Sequence, residues 1–172
     1  MEQIKWFERK FEFSGTQNIF PSIVERLRGT PVRLRDKLSK ITNDADVVKK
    51  IKGSWSIIEN IGHLIDLEPL WQGRLDDILN GRKELRPVDL ENTKTDAANY
   101  NDKDIRVLIK AFSEVRSVTI TKLEALNEGD VYKMAIHPRL KTPMRMMDLF
   151  LFVAEHDDHH LARITEISRF IK

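Results

Sequence analysis

The chain has 172 residues, of which 29 are Lys or Arg and 27 are Asp or Glu, so its formal net charge is only +2. This near balance argues against a nucleic-acid partner, because such proteins usually carry a clustered basic patch. The absence of cysteine excludes disulfides, thiolate metal sites and a cysteine nucleophile, and it is compatible with the cytoplasm.

The length predicts a single domain over residues 1–172, with enough chain to bury a real core. The longest apolar run, residues 149–154, is far too short to span a bilayer. The N-terminus lacks the apolar run of a signal peptide. We therefore expect a cytoplasmic protein without a membrane partner.

Four segments have apolar residues recurring three and four positions apart, which is typical of amphipathic helices. Pro31 is expected to kink or split the first helix. Ser54 is a plausible N-cap and Gly81 a plausible stop for the second helix. Gly129 follows the third helix, and Thr142-Pro143 predicts the start of the fourth. The predicted segments are about 21–41, 55–80, 103–126, and 142 to near the C-terminus.

The remaining segments are polar and predict connections rather than further regular elements. Residues 82–102 form a long predicted loop between the second and third helices, and residues 130–141 a shorter one. No segment alternates convincingly as a strand. The sequence therefore predicts an all-α fold, a four-helix bundle with a long loop between helices 2 and 3. The length of that loop argues against a simple series of helical hairpins.

Three of the five histidines lie within residues 156–160 of the fourth predicted helix. Residues four apart are offset by only about 40° around a helix, so His156 and His160 face the same way and can share one ion. On a helical wheel His160 falls inside the apolar arc, His156 just beyond its edge, and His159 on the polar side. Two histidines one turn apart often have no metal role, and this alternative stays open.

The other two histidines carry weaker signals. His137 precedes Pro138 in a predicted loop, where a surface position is the default. His63 lies in the second predicted helix but outside the edge of its apolar arc. Periodicity alone therefore makes His63 a boundary residue and does not place it on a metal. Gly62 beside it permits close contact with another helix.

Three charged residues are candidates for catalytic roles. Asp157 falls on an apolar arc, where its carboxylate needs a partner, either a ligand histidine that it orients or a cation. Arg116 lies on the apolar arc of the third helix and needs an anion such as Asp157, Glu59 or a substrate carboxylate, unless it snorkels at the bundle edge. Glu59, one turn before His63, is a candidate general base, with an exposed surface glutamate as the alternative.

Two motifs resemble the DinB-like superfamily: ENIGHL at residues 59–64, flanked by Trp55 and Trp71, and EHDDHH at residues 155–160. Order, spacing and helix placement match over about residues 20–164. The family pattern is one histidine in the second helix, then two histidines four apart in the last long helix. Carried over to this chain, the metal ligands are His63, His156 and His160. The assignment of His63 rests mainly on the resemblance.

The resemblance implies a frequently dimeric bundle that holds one divalent ion, zinc or nickel before iron or manganese. The histidine motif is similar to that of a group of metal-dependent hydrolases. Other members are S-transferases that use a low-molecular-weight thiol such as bacillithiol, mycothiol or glutathione. We therefore expect a small-molecule substrate, and either thiol transfer or hydrolysis. The alternative is a non-catalytic bundle whose metal is structural or whose cleft binds a ligand.

Overall fold

The computed structural model describes residues 4–13, 15–51 and 53–171. Its α-helices in chain order are α1 Phe20–Leu38, α2 Ile57–Leu79, α3 Thr93–Ala97, α4 Ile105–Glu124, α5 Glu128–Tyr132 and α6 Met146–Phe170. Two short strands, β1 Met134–Ile136 and β2 Pro143–Arg145, pair antiparallel. Single 3-10 turns occupy Trp6–Glu8, Asp44–Asp46 and Tyr100–Asp102.

The four long helices α1, α2, α4 and α6 form the predicted bundle. Helices α1 and α2 each pack mainly on α4 and α6, so the order around the bundle is α1, α4, α2, α6. Consecutive pairs α1/α2 and α4/α6 therefore lie on diagonals, which confirms that the bundle is not a series of hairpins. The fully buried side chains of Leu27, Phe112 and Phe150 belong to the core between these helices.

Helix α1 continues through Pro31 and is not split there. Proline has no N–H to donate to the carbonyl four residues earlier, which here belongs to Leu27. That carbonyl instead accepts a hydrogen bond from Arg116 Nη1 at 3.2 Å. A side chain from α4 therefore satisfies the group that the proline leaves unpaired.

The start of α2 differs from the prediction because its cap is Ser56 and not Ser54. The Ser56 hydroxyl accepts from the Glu59 N–H at 3.2 Å, and the Glu59 carboxylate accepts from the Ser56 N–H at 2.8 Å. This reciprocal capping box satisfies two donors of the first turn. At the other end Gly81 has a φ of 68°, the left-handed conformation expected where a helix stops.

The prediction that α6 starts at Thr142-Pro143 was wrong, because Pro143 lies in β2 and the helix begins at Met146. The expectation that no strand forms was also wrong, since β1 and β2 pair over three residues each. Such short strands carry too few residues to show an alternating pattern. None of the helices in the described part of the chain combines the length and apolar character needed to cross a membrane.

Candidate metal centre

Three histidines from two neighbouring helices converge inside the bundle. His63 lies in the second turn of α2, while His156 and His160 lie one turn apart in α6. Each ring offers a nitrogen, and these three atoms all lie within 4.8 Å of one another. The residues are only 5%, 4% and 6% exposed, respectively. The structure therefore brings together the three histidines that the motif singled out.

The ring of His160 is oriented by Asn60 of α2. His160 Nδ1 lies 2.8 Å from Asn60 Oδ1, and the Asn60 amide nitrogen donates to the Ser56 carbonyl at 2.7 Å. Because the amide oxygen faces the ring, His160 Nδ1 carries the proton and donates it. The lone pair of His160 Nε2 is then free to bind a cation.

The ring of His63 is oriented in the same manner by Thr95 of α3. His63 Nδ1 lies 3.3 Å from Thr95 Oγ1, which itself donates to Asp66 Oδ2 at 3.0 Å. The threonine hydroxyl hydrogen is thus already used, so its oxygen accepts from His63 Nδ1–H. This leaves the Nε2 lone pair of His63 free. Outer partners of this kind fix the tautomer of metal-binding histidines.

All three rings are held in the neutral form that metal binding requires. Burial lowers the pKa of His63 to about 4. Burial, followed by repulsion from the neighbouring histidines, puts the pKa values of His156 and His160 well below their usual range. The Nε2 atoms of His156 and His160 lie 3.2 Å apart. Two nitrogens bound tetrahedrally at about 2.1 Å from one ion would be about 3.4 Å apart, so little movement is needed.

A cavity of about 230 Å³ opens beside these rings. Trp6, Trp55 and Trp71 line it together with Leu67 and Phe152. The ring centroid of Trp55 lies 4.6 Å from that of His63, and the centroid of Trp71 lies 5.9 Å from that of His156. The cavity therefore combines an aromatic wall with an open side on the histidine cluster, which suits a small molecule.

His137 also lines this cavity and is only 1% exposed, so the expectation of a surface position was wrong. Its Nδ1 accepts the backbone N–H groups of Arg139 and Leu140, each at 3.2 Å. In the connection after α5, β1 contacts α2 and β2 contacts α6, a packing that the sequence pattern did not reveal. His159 also faces the cavity, outside the group of three.

Arg116 and Asp157 are buried in the centre of the bundle and do not line the cavity. Arg116 Nη2 donates to Asp157 Oδ1 at 3.0 Å, and Arg116 Nε donates to Glu68 Oε1 at 2.8 Å. Thr30 donates to Asp157 Oδ2 at 2.7 Å. Burial would lower the pKa of Arg116, but the two carboxylates outweigh it and raise that pKa. Arg116 therefore does not snorkel, and Asp157 pairs with a cation instead of orienting a histidine.

Glu59 is not brought to the cavity either. Besides its place in the capping box, its carboxylate accepts from Lys50 Nζ at 2.7 Å and from Asn101 Nδ2 at 2.9 Å. Burial would raise the pKa of Glu59, but the bonds from Lys50 and Ser56 outweigh it and lower that pKa. The side chain stabilises the start of α2 and does not line the cavity, although the next residue, Asn60, does.

Comparisons with known proteins agree with this architecture. The family model of the DinB superfamily matches residues 26–164. A solved structure of YfiT from Bacillus subtilis, described as a probable metal-dependent hydrolase with an unusual four-helix bundle topology, is 22% identical in sequence and superimposes with a TM-score of 0.80. The similarity covers 95% of this chain and 94% of that one. No curated protein sequence matches the chain.

Proposed function

This chain belongs to the DinB superfamily, and we propose that it is a divalent-metal-dependent enzyme whose ligands are His63, His156 and His160. The observation that carries the proposal is the convergence of three buried imidazoles at the wall of a cavity. When bound, a divalent ion lowers the pKa of a water or thiol beside it, so that a nucleophile exists at neutral pH. Imidazole donors suit zinc and nickel better than manganese, which prefers oxygen.

The protein's own residues orient the ligand rings and form the wall of the cavity beside them. Asn60 and Thr95 fix the rings of His160 and His63, which leaves the Nε2 lone pair of each ring free to bind an ion. Trp55 and Trp71 line the cavity beside the cluster and offer apolar ring faces for a substrate. This arrangement supports hydrolysis of a small molecule or transfer of a low-molecular-weight thiol to an electrophile. The description of YfiT as a probable hydrolase makes hydrolysis the first reaction to test.

The alternative is a non-catalytic bundle whose metal is structural. Structural zinc sites are usually closed by four protein ligands, whereas catalytic sites keep a position open. Within the described residues the candidate group has three members, and the cavity adjoins it. These two features favour the enzyme.

The activity is tested with a panel of small esters and amides, and with thiols paired with electrophiles. We expect at least one substrate to be turned over by the zinc- or nickel-loaded protein. Chelation should abolish turnover and added metal should restore it, while His156→Ala and His160→Ala should be inactive with or without added metal. An exposed-site control, Lys110→Ala, should keep full activity. Turnover that survives chelation, or no metal-dependent turnover with any member of the panel, would contradict the proposal.

A further inference from the structure

Arg74 of α2 is a buried guanidinium that pairs with no carboxylate among the residues that the structure describes. It is 1% exposed, and its Nε donates to the Arg86 carbonyl at 3.0 Å. Its Nη2 has no hydrogen-bond partner among the described residues. The acid that most influences it, Asp77, is already held by Arg86 at 2.9 Å. Burial lowers the pKa of Arg74 to about 10, so the side chain stays charged at neutral pH.

His137 provides a second unsatisfied donor, its ring Nε2–H, beside the guanidinium of Arg74. Because its Nδ1 accepts two backbone N–H groups, the proton of the neutral ring sits on Nε2. That atom lies 3.3 Å from Arg74 Nη1, which is also a donor. Two donors facing each other make no hydrogen bond, and acceptor atoms placed beside them, within reach of both residues, would satisfy them.

The cavity joins these donors to the histidine cluster, since Arg74 and His137 both line it. Arg74 follows His63 by eleven residues, which places it about 16 Å further along α2 and only about 20° around it. Leu67 and Trp71 line the cavity between them. Among the described lining residues the acid is Asp89, whose carboxylate already accepts backbone N–H groups, including that of Thr93 at 2.7 Å.

We propose that Arg74 and His137 form a carboxylate-binding site at the end of the cavity opposite the histidine cluster. One carboxylate oxygen accepts from Arg74 Nη2, and the other accepts from His137 Nε2–H. A carboxylate has two oxygens in one plane, which match two converging donors. If the proposed function holds, the substrate is therefore an extended, largely apolar molecule with a carboxylate at the end remote from the reacting group.

Binding of hexanoate and of its uncharged analogue hexanamide to the zinc-loaded full chain tests this site. Calorimetry or the fluorescence of the cavity tryptophans measures the two dissociation constants. Hydrogen bonds from a charged donor lead us to expect about tenfold or greater preference for hexanoate. Arg74→Gln should remove the preference and Arg74→Lys should retain part of it. Arg82→Gln, at an exposed arginine that pairs with Asp77, should behave like the unmodified protein.

A second variant, His137→Asn, tests the site even where Arg74→Gln does not fold. In His137→Asn the amide oxygen still accepts the backbone N–H groups, but the Nε2 donor is lost, so the preference should fall severalfold. The preference should persist after chelation, which separates this site from the metal-dependent activity. Equal binding of hexanoate and hexanamide, an unchanged preference in Arg74→Gln, or tighter binding of hexyl phosphate than of hexanoate would overturn the proposal.

Discussion

Two of the proposed ligands donate their Nδ1 hydrogens to neighbours that are themselves held in place. His160 donates to Asn60, whose amide is fixed by the first turn of α2. His63 donates to Thr95, whose hydroxyl is fixed by Asp66. A ring held in this way loses little conformational freedom when it binds an ion, which increases its affinity.

Thr95→Val should weaken metal binding without unfolding the protein. Valine keeps the shape of the buried side chain, but it removes the oxygen that accepts from His63. Loss of such an outer partner typically costs about tenfold to a hundredfold in metal affinity. Competition with a chromogenic chelator measures this change. Thr121→Val, at an exposed threonine that bonds to its own helix, is the matched control. Equal affinities of the two variants would contradict the role of Thr95.

The metal-free protein should lose stability as the pH falls from about 6.5 towards 4. In the unfolded chain His63 takes up a proton near its ordinary pKa of 6.5, but in the folded protein its pKa is about 4. Between these values the unfolded state binds more protons, so acidification favours unfolding. Urea unfolding of His63→Asn at pH 7 and pH 4.5 should show a smaller loss than the unmodified protein, by about 2–3 kcal/mol. Parallel pH profiles would contradict this.

The residues of the site differ in how far the sequence predicts them. The four-residue spacing put His156 and His160 on one side of a helix, and both are buried. The wheel left His63 at a boundary, because the covering residue Thr95 comes from a connection whose path depends on tertiary contacts. His137 was likewise mispredicted, because its burial also depends on tertiary contacts of a connection. Helical periodicity describes one element at a time and does not report what packs over it.

At the scale of elements, Gly62 lets the connection before α4 lie directly on α2. A Cβ atom at residue 62 would lie 2.3 Å from the ring of Tyr100, which is closer than atoms can approach. Tyr100 follows α3, which carries Thr95. The glycine therefore links the packing of this connection to the orientation of His63.

Gly62→Ala should destabilise the fold by on the order of 1–3 kcal/mol, because the Tyr100 ring or its backbone must move. Its metal affinity should fall as well. Gly29→Ala in α1 is the control, since no atom of the described part of the chain lies within 4 Å of the added Cβ there, and helix propensity predicts a gain of up to about 1 kcal/mol. Urea unfolding of both variants measures the difference. A Gly62→Ala protein as stable as Gly29→Ala would contradict the proposed contact.

The sequence predicts the four long helices more accurately than it predicts the residues at which they begin and end. Apolar periodicity predicts the four long helices because each buries one face in the core. The cap of α2 was misplaced by two residues, since Ser54 and Ser56 are both good caps and only the geometry chooses between them. The three-residue strands β1 and β2 depend on each other for their hydrogen bonds, and neither can be recognised from its own sequence.

At the scale of the whole molecule, one buried ionic cluster joins the four long helices. Arg116 of α4 contacts Glu68 of α2 and Asp157 of α6, and it donates to the Leu27 carbonyl of α1. Thr30 of α1 also donates to Asp157. These contacts specify which faces of the helices meet, so we assign Arg116 and Asp157 a positioning role behind the histidine-bearing helix.

Arg116→Met should destabilise the bundle by about 3–5 kcal/mol, because it leaves two buried carboxylates without their cation. Arg106→Met is the control, since that arginine pairs with Asp104 at the surface, where solvent screens the pair and it contributes little to stability. Denaturant unfolding measures both changes. An Arg116→Met protein no less stable than Arg106→Met would show that the buried cluster does not hold the helices together.

The proposed function depends most on one ion bound by imidazoles from α2 and α6. X-ray absorption spectroscopy of the zinc-loaded protein, combined with elemental analysis, measures its ligands directly. We predict close to one ion per chain, with three imidazole nitrogens at about 2.0–2.1 Å and at least one light-atom ligand from solvent. His63→Ala, His156→Ala and His160→Ala should each lose the ion, while His159→Ala keeps it. Full metal content in His63→Ala, or fewer than three imidazoles on the ion, would contradict the account.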